Sequence, residues 1–183
     1  MKQKRNKEVI LFQGGLGNQM FQYAFYLAKK QHNENVECES GLLKLYNHHN
    51  GYELQKLFGI EISSSLKYLY LFRFLDKLTH ANKFLNLISY LFDVFLIKDT
   101  IPSLFIPQCL KLHSGLVLYC GFWQTEKYFL DIEHEVREAF TFNPKLLSQQ
   151  TKQFEVQIRN TNSVSVHIRR GDFLTRENIF FVW

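Results

Sequence analysis

The chain has 183 residues, 46% hydrophobic and 21% charged, which is enough apolar material for one domain, or one and a part of another. Its 22 Lys and Arg outnumber its 17 Asp and Glu, a net charge of +5 that suits an anionic partner such as a nucleotide, a phosphate or an acidic membrane surface. Past Met1–Lys7 (MKQKRNK) no long Lys/Arg run occurs, so nucleic acid is excluded as the expected partner.

No apolar stretch of the signal-peptide kind follows that polar start, and the expected location is cytoplasmic. Glu8–Gln13 (EVILFQ) reads as a buried β-strand, bounded by Gly14, Gly15 and Gly17. Met20, Phe21, Ala24, Leu27 and Ala28 then recur at helical spacing, which predicts a helix from about Asn18 to Lys30. Asn35–Glu39 reads as a second short strand, and Tyr52–Ile60 (YELQKLFGI) as a mixed segment with a helical turn ending at Gly59.

Ser63–Lys98 is rich in Leu, Phe and Tyr, but Lys67, Arg73, Asp76, Lys77, His80, Lys83 and Asp93 break it. It holds no uncharged run of about 18 residues, so a transmembrane helix is not expected. Two amphipathic helices split near residues 79–82 fit better, packed on the sheet or lying as a peripheral contact on the inner face of the membrane.

Pro102 and Pro107 mark a loop, and Leu116–Gly121 (LVLYCG) is a strand. Gln124–Phe140 is read as a helix, with Phe129, Ile132, Val136 and Phe140 on one face. Asn143-Pro144 predicts the start of another, Asn as N-cap and Pro in the first turn, running to about Arg159. In Ser163–Ile168, Val164, Val166 and Ile168 alternate with Ser165 and His167, the period of a strand. This order of elements places the chain in the α/β class with a largely parallel sheet. The expected division is a domain over residues 8–160, with a helical insertion near 63–98, and a further segment over 161–183.

Cys38, Cys109 and Cys120 are odd in number, widely spaced and without a CxxC. Free thiols in a reducing compartment are expected, not a disulfide framework or a zinc site. No metal cluster is expected either. His48-His49 reads as part of a polar loop, and Glu126, Asp131, Glu133 and Glu135 as the solvated side of a helix.

Two motifs carry chemistry. In Gly14-Gly15-Leu16-Gly17-Asn18-Gln19, glycines after a strand let the backbone approach a ligand closely, and the next helix turns its N–H groups and dipole toward the same place. It is not a P-loop, since Asn18 and Gln19 stand where Lys and Ser/Thr are needed. It is not a dinucleotide loop, since Met20 stands where the third glycine is needed. A purely structural strand-to-helix turn fits the same spacing.

In His167-Ile168-Arg169-Arg170-Gly171-Asp172, two arginines leave the end of a predicted strand. A guanidinium forks two N–H bonds onto a phosphate and stays charged as a diphosphate departs. One arginine would do this while the other pairs with Asp172, or Asp172 would accept a proton or orient His167. A surface salt bridge at a strand end is the plain alternative.

GGLGNQMFQYAFYLA and VSVHIRRGDFL resemble the bacterial α-1,2-fucosyltransferases, glycosyltransferase family 11. Tyr52–Ile60 and Gly121–Phe129 (GFWQTEKYF) resemble shorter blocks of that family in the same order, and residues 63–107 match none of its blocks. The resemblance implies a GT-B-like fold of two facing α/β domains. It implies GDP-fucose as donor, a galactoside-terminated glycan as acceptor, inversion, no metal or other cofactor, and a place in O-antigen or capsule synthesis.

By the same resemblance His167, Arg169, Arg170 and Asp172 form the donor motif, with Arg169, Arg170 and Asp172 acting in catalysis. Gly15, Gly17, Asn18 and Gln19 would reach the donor across the cleft. In the family a long region follows the Arg-Arg block and completes the donor domain. Here Phe173–Trp183 follow, ending in the apolar NIFFVW. The expectation is therefore the first strand and loop of that domain over 161–183, and little or no transfer by these residues alone. The other readings are a non-catalytic module that binds a glycan or a partner, and a membrane-surface protein.

Overall fold

The structure is a computed structural model and describes residues 6–45, 50–64, 66–79, 91–101, 103–111 and 113–166. The chain divides into two compact units, Met1–Asn143 and Pro144–Trp183.

The first unit is built on four parallel strands: β1 (Lys7–Leu11), β2 (Val36–Glu39), β3 (Val94–Lys98) and β4 (Leu116–Cys120), in the order β2-β1-β4-β3. Its helices are α1 (Leu16–Lys30), α2 (Gly41–Leu45), α3 (Leu54–Phe58), α4 (Lys67–Thr79) and α5 (Glu133–Ala139). Successive strand residues face opposite sides of a sheet. Ile10, Phe12, Val117 and Tyr119 therefore meet Phe25 of α1, while Val9, Leu11 and Leu118 meet Leu69, Phe72 and Leu75 of α4. Two separate cores result, with helices covering both faces of the sheet.

The buried positions of the central strands are apolar on both faces, as a buried parallel sheet requires, save for Glu8. Glu8 sits at 0% exposure on the α1 side, where its Oε1 lies 2.7 Å from Lys29 Nζ. The same oxygen accepts from Tyr119 Oη at 2.9 Å, and Oε2 accepts from Asn33 Nδ2 at 3.0 Å. Lys29 also donates to the carbonyls of Cys109 (3.1 Å) and Lys111 (2.7 Å). Burial pushes the Lys29 ammonium below the ordinary lysine range, against the pull of Glu8. Burial likewise raises the Tyr119 phenol, with the Glu8 carboxylate adding to it.

Strands β1, β2 and β4, helix α1 and the turn ended by Gly59 lie where the sequence places them, to within a few residues. The region 63–98 does not. Helix α4 occupies part of it, but Val94–Lys98 is a strand beside β4, not the tail of a second helix. A short apolar run fits strand or helix equally by periodicity, and here Val, Phe and Ile find a partner strand. The proposed split near 79–82 lies largely outside the described residues.

Gln124–Phe140 is not one helix: 3₁₀ turns at Glu126–Tyr128 and Leu130–Ile132 precede α5. Tyr128 breaks it, because its hydroxyl is drawn to the Ile106 N–H (3.0 Å) and the Leu104 carbonyl (3.2 Å).

In the second unit Pro144–Leu146 is a 3₁₀ turn, and helix α6 (Gln149–Arg159) begins later than Asn143-Pro144 implied. Ser148 is its cap, accepting the Thr151 N–H at 3.1 Å. Residues 163–166 carry no strand assignment, and Val164 and Val166 are 90% and 80% exposed. They have no ladder partner among the described residues, and an unpaired strand has nothing to hold it.

All three cysteines are free and buried. Burial raises the thiol of Cys38 well above its ordinary range and that of Cys120 to about 12. Since the thiolate is the reactive form, the native chain should consume almost no aromatic disulfide reagent near neutral pH and the full complement after denaturation. Rapid modification of the folded chain would show that this core opens readily.

Candidate functional site

Parallel strands deliver their C-terminal ends to one edge of the sheet, the edge where open α/β sheets bind ligands. Here the segment after β1, Phe12–Asn18, meets the segment after β4, Gly121–Gln124. Gln22, fully buried on α1, joins them. Its amide pairs both ways with the backbone of Gln13, accepting at 3.0 Å and donating at 3.1 Å, and donates to the Gly121 carbonyl at 2.9 Å. Gln124 Nε2 then donates to Asn18 Oδ1 at 2.6 Å.

The glycine loop has a definite shape. Gly14 stands at φ +79°, a conformation that calls for glycine, and the Asn18 amide packs over it where a Cβ would lie 2.4 Å from Nδ2. Gly15 is the N-cap of α1 in extended geometry, with no side chain capping the helix and no acid in its first turn. The first N–H groups of a helix have no internal partners, and this end carries the positive pole of the dipole. Gly17 is different from Gly14. It is exposed, and a Cβ there would meet nothing within 4 Å.

Gln19 lies beneath the loop. It is fully buried, with Nε2 donating to the carbonyls of Gly14 (3.0 Å) and Gly51 (2.8 Å) and Oε1 accepting the Glu53 N–H (2.9 Å). These bonds brace the loop from beneath and tie it to the start of α3. Beside this tie lies a cavity of about 630 Å³, lined by Ser40, Asn50, Tyr52, Gln55 and Ser64 among others, side chains able to bond hydroxyl groups.

The other side of the edge is strained. Trp123 is fully buried at φ +55°, a region bulky residues rarely enter, at a cost on the order of 1–3 kcal/mol. Asp99, just past β3, holds it there: Oδ2 accepts the N–H of Phe122 (3.2 Å) and of Trp123 (2.9 Å). Gly121 leaves room for that carboxylate, since a Cβ would come within 2.1 Å of Asp99 Cβ. Asp99 Oδ1 and Trp123 Nε1 are buried without a hydrogen-bond partner among the described residues.

The structure thus brings Gly15, Gly17 and Asn18 together with Gln124. His167, Arg169, Arg170 and Asp172 lie outside the described residues. Sequence reasoning missed Gln22 and Asp99. A signal for Gln22 existed, since Gln19 and Gln22 are three apart on the helix face that carries Phe25 inward.

Helices on both faces of a parallel sheet, with a glycine loop feeding a helix N-terminus at its C-terminal edge, define an α/β domain. The chain belongs to glycosyltransferase family 11, whose model, described as glycosyl transferase family 11, matches residues 9–182. An alpha-1,2-colitosyltransferase of Escherichia coli is 37% identical over 166 residues, covering 88% of this chain and 53% of that protein. The chain spans about half the length of this curated relative. No solved structure matches it significantly.

Proposed function

We propose that this chain is the N-terminal part of an inverting α-1,2-fucosyltransferase of the two-domain GT-B kind, taking fucose from GDP-fucose to a galactoside-terminated glycan without a metal. The observation that carries the reading is Gly17. Glycine in a helix costs about 1 kcal/mol relative to alanine, and no neighbouring atom among the described residues requires it. A ligand brought close to the first turn of α1 would account for it. The donor's diphosphate fits that place, facing unpaired N–H groups and the Asn18 amide.

In this reading Arg169 or Arg170 holds the β-phosphate, and His167 and Asp172 belong to the same motif. The acceptor hydroxyl attacks the anomeric carbon from the face opposite GDP and gives up its proton, for which Asp172 is the candidate acceptor. The C–O bond to the diphosphate breaks, and the arginine stabilises the charge that develops there.

Gly17→Ala separates this reading from a structural turn. The expected result is a chain at least as stable as the parent, with GDP affinity and fucosyl transfer to lactose by the full-length enzyme both lowered about tenfold or more. Unchanged affinity would refute the loop assignment. Replacing the phosphate-holding arginine by Ala should lower kcat by on the order of 10²–10³, and a chelator should leave transfer unaffected.

A second reading concerns the donor sugar. The colitosyltransferase relative favours a colitosyl donor, and colitose is fucose without its 3-hydroxyl. Comparing kcat/KM for the two GDP-sugars decides between them. A site that hydrogen-bonds the 3-hydroxyl would reject the deoxy sugar by a large factor, leaving a buried polar group unpaired otherwise.

A further inference from the structure

Helix α4 turns Tyr68, Leu69, Phe72 and Leu75 inward, where all four are buried. Its opposite side is unusual. Leu66, Tyr70, Arg73, Phe74 and Lys77 recur at three- and four-residue intervals, so they share one face. Tyr70 is 64% exposed, Phe74 53% and Leu66 41%, and Arg73 and Lys77 are exposed beside them. Lys67 flanks the face, its ammonium 5.3 Å from the Tyr68 ring.

An ordinary solvated helix face mixes both signs of charge and carries few large rings. This face has two rings, a leucine and cations, with no carboxylate. The one acid of the helix, Asp76, pairs with Lys98 instead. No helix among the described residues is long and apolar enough to cross a membrane, so any membrane contact made here is peripheral.

We propose that this face of α4 rests on an anionic bilayer surface. The helix, about 20 Å long, lies flat. Tyr70 and Phe74 sit at headgroup depth, and Arg73 and Lys77 pair with acidic headgroups. Charge complementarity selects this occupant: a cationic, aromatic face on a chain of net charge +5 is repelled by basic partners and drawn to a negative surface. So small an apolar area does not hold a protein on a neutral bilayer, so binding depends on acidic lipid and weakens in salt. The inference does not depend on which sugar is transferred.

The test is flotation of the 183-residue chain with phosphatidylcholine vesicles, with and without phosphatidylglycerol, at low and high salt. Binding should require phosphatidylglycerol and fall in high salt. The double charge reversal Arg73→Glu/Lys77→Glu should lower partitioning by about tenfold or more, and Tyr70→Ser/Phe74→Ser should lower it at unchanged salt dependence. All four positions are exposed, so thermal midpoints should stay at the parental value and exclude misfolding as the cause. Failure to float, equal flotation on neutral vesicles, or flotation untouched by charge reversal would each overturn the proposal. So would a chain that elutes as a dimer, becomes monomeric with Tyr70→Ser/Phe74→Ser and ignores vesicles, since the face would then join two copies.

Discussion

Lys29→Met should destabilise the folded chain by about 3–5 kcal/mol, read as a shift in the urea midpoint. The lysine ammonium is the only cation described on the buried Glu8 carboxylate, and removing it leaves that charge in a dry core with two neutral donors, Tyr119 and Asn33. The Lys111 carbonyl would lose its donor as well, and the Cys109 carbonyl would keep only the Tyr119 hydroxyl at 3.4 Å. The pair itself is not a large net source of stability, because desolvating both ions offsets most of their attraction. The double variant Glu8→Gln/Lys29→Met should therefore recover at least half of the loss. A single-variant cost under about 1 kcal/mol would mean that water reaches Glu8 and that the network is not closed.

Trp123→Ala should cost a similar amount, about 3–5 kcal/mol. The indole stacks on Phe25 at 4.5 Å with planes 12° apart, and meets Tyr119 and Tyr128 edge-on, each at 5.9 Å. Removing it empties the junction between α1 and the loop that reaches Asn18. Trp123→Phe should cost less than half as much, since the ring stack survives and the lost indole N–H has no partner among the described residues to leave behind. The two variants also differ functionally. Trp123→Phe should keep GDP affinity near the parental value, whereas Trp123→Ala, by loosening Gly121–Gln124, should weaken it. Equal costs for both would show that the indole N–H does find a partner.

The elements that the sequence announces most clearly are those with local signals. The Val9–Leu11 run, the glycine cluster and the spacing of Ala24, Leu27 and Ala28 mark strand, loop and helix within about twenty residues. The missed elements depend on distant partners. Val94–Lys98 becomes a strand because β4 offers it a ladder, and nothing within 63–98 says so. Tyr128 breaks a well-patterned helix because its hydroxyl finds backbone more than twenty residues earlier.

Gln19 shows the same limit inside the site. Its position in the motif is legible, but its side chain is taken by Gly51 and Glu53, more than thirty residues on. The Glu8–Lys29 pair was open to inspection. Glu8, Ile10 and Phe12 share a strand face, so a charge among them asks for a buried partner of opposite sign.

The sheet order also governs how the chain must be made. Strand β1 pairs on one side with β2, which follows it closely, but on the other with β4, where Lys7 lies opposite Leu116. At ribosomal speeds, roughly 5–20 s separate synthesis of the two halves of that ladder. Through that interval Val9–Leu11 presents an open apolar strand edge, the kind of surface that templates misassembly. Slowing translation between β2 and β4, or depriving the nascent chain of chaperones, should therefore lower its soluble yield far more than the stability of the finished protein would foretell.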